Sequence, residues 1–199
     1  FIFIGKLIQI LFQFLVPIVL IRILSQSDYG IYQKVLFVTT LVIPLFRFHL
    51  TDSLFYFFPI SNKDNERSEI VSQTYFQLLA ICIIVSTIFL LALPFVESFF
   101  ENQDVFKYKY QILLIVFFTV TSSILENIFI LEKKSKLVVL FASLDKFLRT
   151  GLLLIIIFIF KNIEYALLAL IIHGFLRFLF LTIYLFKNYR LNILSIKID

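Results

Sequence analysis

Cysteine is almost absent from this sequence, because Cys82 is the only one among 199 residues. An internal disulfide and a metal site built from several cysteines are therefore both excluded. The neighbours of Cys82 are Ile81, Ile83 and Ile84, so we expect a buried thiol in an apolar setting.

Glycine is scarce as well, with only Gly5, Gly30, Gly151 and Gly174. Their spacing forms neither a phosphate-binding glycine loop nor a GxxxG helix-pairing motif. The sequence also lacks an Asp-rich metal motif and a His-Glu zinc motif. We therefore predict no catalytic residues, no metal and no cofactor, and we do not expect an enzyme. A membrane-embedded lipid-modifying enzyme is the least favoured alternative.

Apolar residues are abundant: they make up 61% of the chain, and the mean hydropathy is +1.00. A soluble domain of this size cannot bury so much apolar surface, so the surrounding solvent must be lipid. Six apolar runs are each about long enough to cross a bilayer as a helix. They cover about residues 4–24, 31–58, 70–93, 110–131, 137–160 and 163–186.

Only helices and closed barrels satisfy the backbone in lipid, and these runs are too long for barrel strands. The predicted fold class is therefore all-α integral membrane, a six-helix transmembrane bundle over residues 1–199. The segment 61–69 between the second and third runs alternates acidic and basic residues and is interpreted as a solvated turn.

A short polar stretch separates the first two runs. Ser25 and Asp28 have the spacing of a helix cap, so a helix is predicted to start at Ser25. Asp28 would lie in the first turn, where the helix dipole favours an anion. Gly30 is expected to allow close backbone packing at this point.

The net charge is +5, but the basic residues lie mainly at the ends of apolar runs, as topology signals do. We therefore expect no nucleic-acid partner. Nine basic residues flank one side, namely Lys6, Lys63, Arg67, Lys133, Lys134, Lys136, Lys187, Arg190 and Lys197. Five flank the other, namely Arg22, Lys34, Lys107, Lys109 and Lys161. This asymmetry predicts a cytoplasmic N-terminus.

Some ionisable residues lie inside the apolar runs. Each costs roughly 2.5–3.5 kcal/mol on insertion, so such groups usually face a partner or a wet cavity. The basic residues are Arg47, Lys146, Arg149 and Arg177; the acidic ones are Asp52, Glu126 and Asp145; the histidines are His49 and His173.

One interpretation of these residues is internal pairing. Asp145 and Arg149 lie four residues apart and can pair on one helix. His173 and Arg177 are also four residues apart and share a helix face. That face needs an anion or a carboxylate from another helix to balance its charge, and Glu126 is a candidate partner.

Internal pairing is also an interpretation for the ionisable residues of the second run. Asp52 could bind Arg47 or cap the backbone freed by Pro44. Arg22 is interpreted as an interfacial residue whose side chain reaches the headgroups.

The other interpretation is a central cavity with an excess of cations. Such a cavity suits an anionic or phosphate-bearing substrate, because guanidinium groups bind phosphate in a forked geometry. The predicted substrate-binding residues are Arg47, Lys146, Arg149, His173 and Arg177. The predicted ion-coupling residues are Asp52, Glu126 and Asp145.

Residues 21–32 read Ile-Arg-Ile-Leu-Ser-Gln-Ser-Asp-Tyr-Gly-Ile-Tyr, and residues 50–57 read Leu-Thr-Asp-Ser-Leu-Phe-Tyr-Phe. The first resembles a signature of the polysaccharide and O-antigen flippases, in which an Arg-x-Leu helix end precedes an acidic-Tyr-Gly-x-Tyr turn. The second resembles the end of their second helix. This family belongs to the multidrug/oligosaccharidyl-lipid/polysaccharide exporter superfamily.

The resemblance implies a two-lobed transporter of the inner membrane that works by alternating access. Its expected cargo is an undecaprenyl-pyrophosphate-linked oligosaccharide for O-antigen or lipopolysaccharide synthesis. Expected partners are membrane lipid, a second lobe and polysaccharide polymerase machinery, and this chain would supply one lobe, the N-terminal one. A multidrug or cation antiporter lobe of the same superfamily is the alternative, and it would use acidic residues.

Overall fold

The computed structural model describes residues 14, 16–61, 63–99 and 103–189. Part of the predicted helix 4–24 and the basic residues Lys6, Arg190 and Lys197 lie outside the described residues. The regular structure within them is helical. In chain order the helices are α1 (16–23), α2 (Gln26–Arg47), α3 (Leu50–Ile60), α4 (Asp64–Phe99), α5 (Gln103–Phe106), α6 (Lys109–Thr121), α7 (Ile124–Leu131), α8 (Ser135–Phe160) and α9 (Ile163–Asn188).

The start of α2 agrees with the capping pattern. The Ser25 hydroxyl accepts a hydrogen bond from the Asp28 backbone nitrogen at 3.1 Å and donates to the Asp28 carboxylate at 2.9 Å. The predicted helix start is therefore confirmed. The expectation for Gly30 is wrong, because a Cβ added there would meet no heavy atom within 4 Å.

Two of the predicted helices are broken in the structure. The run 31–58 divides into α2 and α3 because Phe48 and His49 adopt left-handed conformations, with φ of 44° and 53°. Pro44 remains inside α2. The run 110–131 divides into α6 and α7 at Ser122 and Ser123. Residues other than glycine seldom adopt positive φ, so the apolar pattern gave no reason to expect the first break.

Helix α4 is longer than the run 70–93 that predicted it. It begins at Asp64 and extends to Phe99, so Pro94 does not end it. Asp64 and Glu66 occupy its first turn, where the positive end of the helix dipole favours carboxylates. The expected turn 61–69 is correspondingly short, since most of it is helical.

Within the described residues, four stretches are long and apolar enough to cross a membrane: Gln26–Arg47, Asp64–Leu91, Lys109–Leu131 and Ile163–Asn188. Helix α8 equals α9 in length, at 26 residues, but it carries Asp145, Lys146 and Arg149 near its centre. The all-α membrane class is confirmed by these spans. The count of six spanning helices is not established by them.

The packing centres on α6, which contacts α2, α4 and α9. Helix α9 also packs along α8, and the short helices α3 and α7 pack on each other. The buried apolar side chains in the described part of the chain form two clusters. The first core joins α1, α2, α4, α6, α8 and the first half of α9 and includes Leu20, Val35, Cys82, Val116, Ile157 and Leu167. The second core joins α3, the start of α4, α7 and the second half of α9 and includes Leu54, Val71, Ile128, Leu181 and Leu185.

Gly174 allows α9 to approach α6 closely. A Cβ added at Gly174 would lie 3.0 Å from the Cβ of Phe118, which is tighter than ordinary van der Waals contact. A Cβ added at Gly151, in α8, would meet nothing within 4 Å. The two helical glycines therefore differ in how much space surrounds them.

We predict that Gly174→Ala destabilises the bundle relative to Gly151→Ala. Each change from Gly to Ala favours the helical backbone by about 1 kcal/mol. Only Gly174→Ala also forces α9 away from α6, and such overpacking lowers the free energy of unfolding by roughly 1–3 kcal/mol. The measurement is the Tm in detergent. Unfolding is monitored by the reaction of a thiol dye with Cys82, which is buried in the folded protein. A Tm for Gly174→Ala at or above that of Gly151→Ala would contradict the close contact.

Candidate functional site

A layer of charged side chains lies between the two apolar cores. Along α9, Leu170 belongs to the first core and Leu181 to the second, and His173 and Arg177 lie between them. Helices α7 and α8 contribute further charged side chains to this layer. The polar layer, as we call it, consists of Glu126, Asp145, Lys146, Arg149, His173 and Arg177.

Arg177 is the centre of the polar layer. Its Nη2 donates to Glu126 Oε1 on α7 at 2.9 Å, and its Nη1 donates to Asp145 Oδ2 on α8 at 3.2 Å. The guanidinium also lies over the Phe141 ring, 5.6 Å from its centroid. One side chain of α9 therefore joins three helices, and the pairing of Arg177 with Glu126 that the sequence suggested is present.

His173 adds a second contact from α9 to Asp145. Its Nε2 lies 3.1 Å from Asp145 Oδ1 and 3.1 Å from the backbone oxygen of Asp145. A carbonyl oxygen can only accept a hydrogen bond, so Nε2 carries the proton and donates.

The predicted ion pair between Asp145 and Arg149 within α8 is wrong. Asp145 instead pairs across the helix interface, where His173 contacts one of its carboxylate oxygens and Arg177 the other. Both oxygens are therefore occupied by partners from α9, and Arg149 is left on the cavity side.

A cavity of about 360 Å³ lies beside this network, bordered by α2, α6, α7, α8 and α9. All members of the polar layer line it, together with hydroxyl-bearing residues such as Thr39, Thr40 and Ser122. Arg177 is balanced by Glu126 and Asp145, whereas Lys146 and Arg149 form no ion pair within 4 Å of an acid in the described part of the chain. The lining therefore carries a positive excess from α8.

A second cavity, of about 290 Å³, lies between α1, α2 and α8. Lys146 and Arg149 line this cavity too, so they stand at the boundary of both spaces. Sequence reasoning missed Tyr32, Gln33 and Thr150, which line the second cavity. Neutral polar side chains are cheap to bury compared with charges, and an apolar run therefore gives little signal for them.

Arg47 and Asp52 do not join the polar layer. Asp52 Oδ2 pairs with His49 Nδ1 at 2.9 Å. The predicted contact of Asp52 with Arg47 or with the backbone near Pro44 is therefore wrong. His49 precedes α3 and Asp52 lies in its first turn, so the break at Phe48 sets this local pair. The side chains of His49 and Asp52 are 93% and 61% exposed, and the predicted site residues Arg47 and Asp52 lie apart from both cavities.

We predict that Arg177→Met destabilises the fold far more than Arg149→Met. The first change leaves Asp145, whose side chain is only 11% exposed, without its cation, and an uncompensated buried charge costs roughly 3–5 kcal/mol. The second removes a cation that makes no ion pair. Thermal unfolding of both variants in the same detergent is the measurement, and adding Asp145→Asn to Arg177→Met should restore part of the loss. Equal Tm values for the two single variants would contradict this assignment.

The comparisons with known proteins concern the whole chain. No curated protein and no solved structure matches it. The sequence model of the family described as "Polysaccharide biosynthesis protein" matches residues 1–198. This agrees with the resemblance carried by residues 21–32 and 50–57. Because the match extends over nearly the entire sequence, the chain belongs to the polysaccharide biosynthesis protein family of the multidrug/oligosaccharidyl-lipid/polysaccharide exporter superfamily.

Proposed function

We propose that this protein moves an anionic, lipid-linked oligosaccharide across the membrane. The observation that supports this proposal is the pair of cations Lys146 and Arg149, which line both cavities and form no ion pair within the described residues. They lie three residues apart on α8, so they share one helix face. Cations that line a cavity without an acidic partner are suited to bind an anionic ligand.

The chemistry of these two side chains fits a pyrophosphate carrier such as undecaprenyl pyrophosphate. The guanidinium of Arg149 can bind two phosphate oxygens in a forked geometry, and the ammonium of Lys146 acts as a mobile point charge. Arg177 and His173 are held by carboxylate and carbonyl oxygens. We therefore assign substrate binding to Lys146 and Arg149, and positioning of the helices to the other two.

The broken helices support a mechanism of alternating access. Each of the breaks at Phe48–His49 and Ser122–Ser123 separates a helix of the first core from a helix of the second core. The half-helices beyond the breaks, α3 and α7, pack together, and Asn127 Nδ2 donates to the Thr51 backbone oxygen at 3.0 Å. We propose that α3 and α7 move as a unit about these two breaks, as the segments of discontinuous helices do in transporters.

We place the protein in the inner membrane with its N-terminus in the cytoplasm. The nine-to-five distribution of basic flanking residues supports this orientation. A second lobe and a polysaccharide polymerase are the partners that this role requires. Both acids of the cavity are bound to Arg177, which supports a binding role for the lining and a transporter rather than an enzyme.

A cation antiporter of the same superfamily is the second candidate. Glu126 and Asp145 line the same cavity, and the Glu126 side chain is 45% exposed. An antiporter needs a carboxylate that exchanges a proton or a sodium ion during each cycle. Both carboxylates here are engaged with Arg177, so the resting arrangement favours the anion transporter.

We predict that Lys146→Gln combined with Arg149→Gln lowers glycan export by the full-length protein about tenfold or more, because hydrogen bonds to charged groups contribute roughly 1.5–3 kcal/mol each. The measurement is surface glycan in cells that depend on this protein for export. The control is Arg22→Gln with Lys34→Gln, which removes the same charges from residues outside both cavity linings.

Unimpaired export by the Lys146/Arg149 double variant, at wild-type expression, would remove the proposed role of these cations. Dye efflux that is driven by sodium or pH and abolished by Glu126→Gln would favour the antiporter instead.

A further inference from the structure

The second-core end of the bundle contains a polar network that lies apart from the two cavities described above. It centres on Glu132, which follows α7. The Glu132 carboxylate accepts hydrogen bonds from the Tyr184 hydroxyl at 2.7 Å, the Lys134 ammonium at 2.8 Å and the Tyr189 hydroxyl. Burial would raise the pKa of Glu132, but these donors outweigh it and hold the pKa below its usual value. Glu132 is therefore ionised and bound to its own donors.

An open cavity of about 860 Å³ lies beside this network. It is bordered by the end of α3, the start of α4, the turn between α7 and α8, and the end of α9. Phe58, Pro59, Ile130 and Leu131 line it on the apolar side, and Arg67, Lys133 and Lys134 supply cations. The cavity thus combines an apolar border with basic groups at the end of several spanning helices.

Arg67 is held in a defined position in this cavity. Its Nε donates to the Ser61 backbone oxygen at 3.2 Å, and its guanidinium lies 5.3 Å from the centroid of the Phe58 ring. Its Nη1 makes only a 3.8 Å contact with Asp64, whose side chain is 99% exposed. Exposed ion pairs of this length contribute little, so the terminal guanidinium nitrogens retain most of their capacity to bind an anion.

Lys133 provides the second cation. It adopts a left-handed backbone conformation with φ of 56°, which residues other than glycine seldom do. Within the described residues it forms no ion pair, whereas its neighbour Lys134 is paired with Glu132. The turn therefore uses one lysine for its own structure and leaves the other exposed at the cavity.

We propose that this cavity binds the phosphate of an anionic phospholipid headgroup through Arg67 and Lys133. The apolar border formed by Phe58, Pro59 and Ile130 would contact the adjoining acyl chains. Basic pockets between transmembrane helices bind anionic headgroups in this way. The site is separated from Lys146 and Arg149 by the second core, so it does not depend on the transported substrate proposed above.

The test uses the purified full chain in lipid nanodiscs that contain either phosphatidylglycerol or phosphatidylcholine, with retained lipid counted by native mass spectrometry. We expect wild-type protein to retain phosphatidylglycerol preferentially and to unfold at a higher temperature with it. Arg67→Gln with Lys133→Asn should weaken that retention about 30-fold. Asn is chosen because it tolerates the left-handed backbone conformation.

The matched control is Arg22→Gln with Lys161→Asn. Lys161 is also a left-handed lysine at a helix end, with φ of 49°, but it lies at the opposite end of the bundle. The control should keep the wild-type preference for phosphatidylglycerol. The single variant Lys133→Asn disturbs no described contact, and it should weaken retention by itself even if the change at Arg67 impairs folding.

Three results would overturn the proposal. The first is equal retention of the two lipids by wild-type protein. The second is the same loss of retention in the control as in the test variant. The third is stabilisation by free inorganic pyrophosphate in phosphatidylcholine discs with no added effect of phosphatidylglycerol, which would assign the site to a soluble phosphate instead.

Discussion

The charge of Arg177 must be balanced inside an apolar bundle, and the arrangement of the surrounding helices follows from that requirement. Two carboxylates from two other helices supply the balance, at 2.9 and 3.2 Å. An unpaired cation at this depth would be costly, so α7, α8 and α9 are tied together in one register. The apolar cores on either side of the polar layer add stability, but they do not select this register as specifically as a hydrogen-bonded ion network does.

The cations that line the cavities are therefore of two kinds, those paired with acids and those without an acidic partner. Arg177 forms ion pairs with Glu126 and Asp145. Lys146 and Arg149 on α8 instead line two cavities. Ionisable residues within apolar helices usually face a partner or a wet cavity, and Lys146 and Arg149 line two cavities. Ser122, at the break between α6 and α7, lines the larger of these two cavities, so charged groups, open space and an interruption of the backbone occur together there.

Much of this arrangement could be predicted from the sequence. The long apolar runs established the membrane class, and the Ser25–Asp28 spacing gave the start of α2, because both signals are local. The partner of Asp145 could not be predicted in the same way. Helical spacing favoured Arg149, but the true partners come from α9, and cross-helix distances depend on packing that no single run encodes.

The break between α2 and α3 could not be predicted from the sequence either, because it too depends on tertiary packing. Phe48 and His49 are not residues that usually mark a left-handed turn, so only the tertiary packing of α3 on α4 and α7 explains why that conformation is tolerated. Pro44, the local signal for a kink, lies in continuous helix. The assignment of Arg47 and Asp52 to the cavity also failed, because Asp52 pairs locally with His49 beside the break and neither residue lines a cavity of the polar layer.

The central claim is that the cations of α8 face water at bilayer depth. The most direct measurement is the rate at which a membrane-impermeant thiol reagent modifies Arg149→Cys in a Cys82→Ala background, compared with Ile155→Cys on the exposed apolar side of the same helix. We predict that position 149 reacts roughly tenfold faster or more, since a thiol in water ionises and one in lipid does not. Equally slow reaction at both positions would place Arg149 against acyl chains and contradict the account.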